Sequence, residues 1–307
     1  MNPDSLEDTA DYSPSEALVE MRAPSSGSAS VHVDIAARTH RGWVRPENQD
    51  HYLVIQAGRF LRTMATSLPT GLVPDEYVDT LYGMAVADGM GGMAGGEVAS
   101  RLALARLVEL VIETPDWIVP RDEVDMQEML RRARLRFRDV NATVAAEARR
   151  DPSLAGMGTT LTLAWSLGAD LWVAHVGDSR AYLSRQGEFQ ALTRDHTLGR
   201  ELAQEASSPA ERAAAHRLRH VLTQFIGGPE TRCVPEVQQF RLADGDRLLL
   251  CSDGLIDMVD DATIEAALQR DAAADAISQS LVDLALEGGG RDNVTVIVAQ
   301  YQVACES

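Results

Sequence analysis

The amino-acid sequence predicts an α+β fold built on antiparallel sheet. Short apolar runs separated by Gly and Asp recur from Val31 onward, and most links between them are too short to hold a crossover helix. Two long stretches instead repeat apolar residues every three or four positions, the spacing of one helix face. With 307 residues and 45% hydrophobic content, the chain can bury a large core in one big domain or two modest ones.

Residues 1–30 hold six acidic side chains, one Arg, seven Ser, three Pro and a single aromatic, Tyr12. Such a segment cannot bury enough apolar surface to offset its ordering entropy, so an acidic disordered tail is expected there. Strands follow at 31–37, where apolar and polar residues alternate, and at the compact apolar runs 52–57 and 81–87. Val98, Leu102, Ala105, Val108 and Ile112 form one stripe read as helix core packing, and Met126, Leu130, Ala133, Phe137, Val140 and Val144 form a second. Strands return at 160–166, 171–176 and 180–184, and a polar helical stretch follows before strands at 239–242 and 247–251. An Ala-rich helix over 271–286, with Ile277, Leu281 and Leu284 on one face, precedes a last strand at 294–301.

The 28 basic and 46 acidic side chains leave a net charge of −18. That disfavours a nucleic-acid binder, because attraction to a phosphate backbone needs a basic surface. All 28 basic residues are Arg, and the lack of Lys excludes P-loop nucleotide hydrolases, lysine Schiff-base enzymes and lysine-dependent kinases. Cys233, Cys251 and Cys305 form no CxxC pair and leave one over, against a disulfide framework or a thiolate metal site. No apolar run approaches the roughly 18–20 residues of a membrane span, and 1–30 lack the hydrophobic centre of a signal peptide. A cytoplasmic protein with no membrane and no nucleic-acid partner is expected.

The chemistry is expected in acidic residues at strand ends. Asp50 lies just before one strand and Asp88 immediately follows the next, so an antiparallel pair places both carboxylates at one end. Asp253 and Asp292 repeat this arrangement around the last two strands. Four carboxylates converging on one edge are costly unless some are neutralised or bind cations. An all-oxygen donor set with no His or Cys selects hard ions, Mg²⁺ or Mn²⁺. Gly beside the acids, as in Asp88-Gly89 and Asp253-Gly254, lets the backbone approach an ion closely.

The segment Arg38-Thr39-His40-Arg41-Gly42-Trp43-Val44-Arg45-Pro46-Glu47-Asn48-Gln49-Asp50 resembles the opening motif of the metal-dependent protein phosphatases of the PPM (PP2C-type) family, bacterial branch. Asp88-Gly89-Met90-Gly91-Gly92 is similar to the second motif. Gly158-Thr159-Thr160, Gly177-Asp178-Ser179-Arg180, Thr193-Arg194-Asp195-His196, Val221-Leu222-Thr223, Ser252-Asp253-Gly254 and Asp292-Asn293-Val294-Thr295 follow in order. The resemblance runs over 31–303, read as one catalytic domain with an insert at 58–80 and a flap at 197–228.

The resemblance implies a four-layer αββα sandwich of two antiparallel sheets flanked by helices, with a two-metal site at one edge. It implies hydrolysis of phosphoserine and phosphothreonine by in-line attack of a water bridging two Mn²⁺ or Mg²⁺ ions, with a weaker third site. Asp88 would bridge both ions, Gly89 would offer its carbonyl, Asp253 and Asp292 would complete the first ion, and Asp50 would hold metal-bound waters. Asp178 matches the third-site carboxylate and Arg45 the phosphate-binding Arg. Implied partners are phosphorylated proteins, a Ser/Thr kinase or its substrates. Gln49 stands where many members have Glu, and Met90 stands where animal members carry a His, leaving no side-chain proton donor to name. Arg200, Arg212, Arg217 and Arg219 of the flap are available to anionic substrate, and the 58–80 insert is expected away from the metals. A catalytically inactive metal-binding interaction module of the same fold is the alternative, and a two-metal phosphodiesterase or nuclease is disfavoured by the acidic surface.

Overall fold

The structure, a computed structural model, describes residues 31–91, 95–113, 126–229 and 233–304. The expected tail at 1–30, Gly92 and Cys305 lie outside these residues. Two antiparallel sheets pack face to face. The first contains β1 (Val31–His40), β11 (Val294–Val303), β10 (Arg247–Cys251), β7 (Arg180–Arg185) and β8 (Glu188–Ala191), in that spatial order. The second contains β2 (Asp50–Arg62), β3 (Glu76–Met90), β5 (Leu161–Leu167), β6 (Asp170–Val176) and β9 (Glu236–Arg241), with the short β4 (Gly158–Thr159) paired to β3.

The central strands are covered on both faces, which is why they read as continuous apolar runs. Met84 and Val86 of β3 meet Leu248, Leu250, Ile297 and Ala299 in the layer between the sheets. Their neighbours Ala85 and Ala87 face outward onto α1 (Gly95–Glu113) and α2 (Met126–Arg150). On the other side Leu249, Cys251, Val296 and Val298 pack against α6 (Asp261–Leu268) and α7 (Ala274–Glu287). Sheets inside and helices outside make the four-layer αββα sandwich. No helix among the described residues is long and apolar enough to cross a membrane. Cys233 and Cys251 are buried free thiols.

The second stripe is buried at Ala133, Phe137, Val140 and Val144, as its spacing requires, and Ile277 and Leu281 are buried on α7. The first stripe is the wrong face of α1. Ala99, Ala103, Leu104, Leu107 and Leu110 are buried, whereas Ala105 is exposed and Ile112 is 75% exposed. Glu97, Arg101, Arg106, Glu109 and Glu113 fall on the same half of the helix as the predicted stripe, and the small residues of the opposite half let the helix lie close on β3.

Within 58–80 the hairpin itself goes on, and only 63–75 form its connecting loop. β2 and β3 continue as one long hairpin, held by Arg59–Asp79 (2.9 Å) and Arg62–Glu76 (3.2 Å). These charged pairs broke the apolar pattern that marks a strand. The polar stretch at 197–228 folds as α3 (Leu198–Glu205) and α4 (Pro209–His216). Thr197 caps the first of these helices, and Ser208 with Glu211 forms a capping box on the second. A one-turn α5 (Asp253–Ile256) follows β10 directly.

Candidate metal centre and active site

The two sheets each deliver acids to the same edge. Asp50 and Asp88 are direct partners across the β2–β3 hairpin. In the other sheet β10 and β11 are paired from Cys251↔Val296 onward, which sets Asp253 and Asp292 at corresponding ends. Asp88, Gly89, Asp178, Asp253 and Asp292 thus line one cavity of about 780 Å³, together with Arg45. Asp50 lies beneath it, 3% exposed.

Polar side chains that were given no role from sequence hold this edge together. Ser252 Oγ donates to Asp50 Oδ2 (2.7 Å) and accepts from the Thr295 amide (3.0 Å), tying the sheets to each other. Asn293 Nδ2 donates to the carbonyls of Arg41 and Glu47 (both 2.9 Å), and its Oδ1 accepts from the Gln49 amide (2.8 Å). One side chain therefore fixes the loop leading into Asp50 against the strand that follows Asp292. Gly42, at φ +76°, is required there, since a Cβ would run into the carbonyls of Gly290 and Asp292.

Asp178 sits on the β6–β7 turn behind Gly177, whose φ is +114° and whose missing Cβ would lie 2.6 Å from the Thr160 side chain. His175 and His196 stack with centroids 5.0 Å apart and hold the Gly177 peptide. The Gly177 amide donates to His196 Nδ1 (3.2 Å), and its carbonyl lies 3.0 Å from His175 Nε2. Burial pushes His175 down to about 3, so it is a neutral donor to that carbonyl.

Burial, followed by mutual repulsion, sets the electrostatics of the cluster. Burial pushes Asp50 up to about 7, against the hydrogen bond from Ser252. Asp88 is raised well above the usual carboxylate range by burial and then by Asp50 and Asp253. Asp178 is raised to about 8 by burial and then by Asp253. Such a cluster holds protons or cations. Asp50 Oδ1 is buried with no hydrogen-bond partner among the described residues. Gly89 lines the cavity, and a Cβ there would collide with the carbonyls of Gly96 and Gln49, so only glycine fits. A buried orphan oxygen, a glycine backbone at the cavity wall and an all-oxygen donor set fit hard divalent cations.

Arg45 lines the same cavity and its Nη2 meets Asp292 Oδ2 at 2.5 Å, which raises its already high pKa and keeps it charged. Met90 also lines the cavity and brings no ionisable proton. From the flap, His220 and Leu222 reach the cavity. Arg200, Arg212, Arg217 and Arg219 stay exposed, and Arg219 Nε stands 3.8 Å from Asp257 Oδ1. His220 and Asp257 escaped sequence reasoning. Asp257 could have been found from its position four residues after Asp253, one helical turn on. For His220, inside a polar helical segment, no local signal exists.

The family model described as protein phosphatase 2C matches residues 76–284. The serine/threonine protein phosphatase PstP of Mycobacterium tuberculosis is 38% identical over 264 residues, 86% of this chain but 44% of that protein, so the chain spans under half of that relative. The serine/threonine phosphatase stp of Listeria innocua is 31% identical over 264 residues, 86% of this chain and 94% of that one. Among solved structures, the PstP catalytic domain in complex with two manganese ions superposes with a TM-score of 0.67 at 35% identity, covering 89% of this chain and all of that one. Carboxylates delivered by two antiparallel sheets to one cavity, with these matches over most of its length, place the chain in the protein phosphatase 2C family.

Proposed function

We propose that the chain is a metal-dependent protein serine/threonine phosphatase, hydrolysing phosphoserine and phosphothreonine monoesters of phosphorylated proteins, a Ser/Thr kinase or its substrates, in the cytoplasm. The observation that carries this reading is the meeting of Asp88, Asp253, Asp292 and the Gly89 backbone around one cavity. The relatives named as serine/threonine phosphatases, and the two manganese ions in one of their catalytic domains, support it.

In this reading Asp88, Gly89, Asp253 and Asp292 would hold two Mn²⁺ or Mg²⁺ ions, and Asp178 would serve a third. When bound, the ions would supply a water nucleophile at neutral pH and offset the charge of the transferring phosphoryl group. Asp50, locked by Ser252, would orient waters beside Asp88. Arg45 binds phosphoryl oxygens with its planar fork of donors. No side chain is asked to form a covalent phosphoenzyme, and both described Cys are buried away from the cavity.

The test is Mn²⁺-dependent release of phosphate from a phosphothreonine peptide, abolished by chelator and by Asp253→Asn. A folded wild type without turnover in Mn²⁺ or Mg²⁺ would move the chain to the inactive metal-binding module.

A further inference from the structure

His220 belongs to the segment after α4, at the mouth of the cavity, and its surroundings differ from those of an ordinary surface histidine. One of its ring nitrogens, one oxygen of Asp178 and one of Asp253 all lie within 4.8 Å of each other. Its Nδ1 stands 3.8 Å from Asp253 Oδ2, and its Nε2 stands 3.5 Å from Asp257 Oδ2. Two ligands of one octahedral ion with bonds of about 2.1 Å are separated by about 3.0 Å when adjacent and about 4.2 Å when opposite, so the three groups need only small shifts to share an ion.

Two further observations point to a cation. Asp178 is 8% exposed and takes no hydrogen bond or ion pair from another side chain among the described residues. A carboxyl so buried is either protonated or held by a cation, and among the described residues no neighbouring Arg supplies that cation. Asp257 faces the second nitrogen of His220, as the carboxylate behind a metal-bound histidine does, fixing the ring and directing the other nitrogen's lone pair toward the ion. Asp257 is itself set by the α5 turn, its amide donating to the Asp253 carbonyl (2.9 Å).

Resting on the two-metal reading above, we propose that His220 is a protein ligand of the third ion, with Asp178 and Asp253, and that Asp257 positions it. A nitrogen ligand beside two carboxylates favours Mn²⁺ or Zn²⁺ over Mg²⁺. It also ties the flap to the ion, because His220 is the one flap side chain with a ligand atom in the cluster.

The experiment is Mn²⁺ titration of the full chain followed by electron paramagnetic resonance, which counts bound ions without turnover. The wild type is expected to bind a tight pair and a weaker third ion that a large excess of Mg²⁺ does not displace. His220→Ala should weaken only that third ion, by about 10-fold or more, and Asp257→Asn by about 10-fold, the usual effect of removing a supporting carboxylate. A third ion bound equally well by His220→Ala, or a wild type that binds only two, overturns the proposal with the tight pair intact. Absence of the tight pair itself would instead strike the two-metal reading.

Discussion

Ser252 Oγ, at the end of one sheet, donates a 2.7 Å hydrogen bond to Asp50 Oδ2, at the start of the other. The two residues stand 202 positions apart in the chain. Through this bond the edge that gathers the acids is a built junction between the two sheets. Ser252→Ala would leave a buried carboxylate without its donor and the Thr295 amide without its acceptor. In chelator, a loss of about 1–3 kcal/mol is expected from urea denaturation, the cost of orphaning buried polar groups. An unchanged midpoint would show that the bond contributes nothing.

Arg45 should act on substrate rather than on the fold. It is half exposed and pairs with Asp292 at the cavity rim. Arg45→Ala is expected to lower kcat/KM for a phosphothreonine peptide by about 10- to 100-fold, the value of charge-assisted hydrogen bonds to phosphate, with melting temperature unchanged. Lys at this position should recover only part, since it lacks the planar fork.

The raised carboxylates give metal-free protein a definite pH dependence. Asp50 stands at about 7 and Asp178 at about 8 when folded, against an ordinary 3.8. Between about pH 4 and pH 8 the folded chain therefore holds more protons at these groups than the unfolded chain. Their contribution to stability is fully present below about pH 4 and is lost as pH rises through 7 to 8. Chelated wild type should lose more stability between pH 5 and pH 8 than Asp50→Asn does, and Mn²⁺ should restore more at pH 8 than at pH 5. Parallel stability curves for the two proteins would contradict this.

The far half of the β2–β3 hairpin should be dispensable for chemistry. Asp50↔Asp88 is one end of the pairing and Arg62↔Glu76 the other, about 40 Å away at roughly 3.4 Å per residue. Phe60 and Leu61, which are 63% and 50% exposed, can both be changed to Ser. Turnover of a phosphothreonine peptide is expected to stay at the wild-type rate, and a clear drop would place that tip in the active site's reach.

Particular residues show where sequence reasoning succeeded and where it stopped. Asp50 and Asp88 announced their meeting because a hairpin fixes which strand ends coincide, and Asp253 and Asp292 because the same logic holds for the last two strands. The buried face of α1 was misread because Ala99 and Ala103 matter for their smallness, which an apolar count ignores. The long hairpin was cut short because Arg59 and Arg62 satisfy their charges across the strand, on Asp79 and Glu76, and so interrupt the apolar run without ending the strand. β8 is four residues long and mostly exposed, too short and too polar to stand out. His220 is set beside Asp253 by the packing of the flap, a tertiary contact with no local signature.

The central claim is that Asp88, Asp253 and Asp292 grip a pair of divalent cations. A crystal of the full chain soaked in Mn²⁺, with anomalous data collected above the manganese edge, tests it most directly. Two strong peaks sharing the Asp88 carboxylate, one of them also against Asp253 and Asp292, are the expected result. A map with no manganese among these three residues, or with ions scattered over the acidic surface only, would contradict the account.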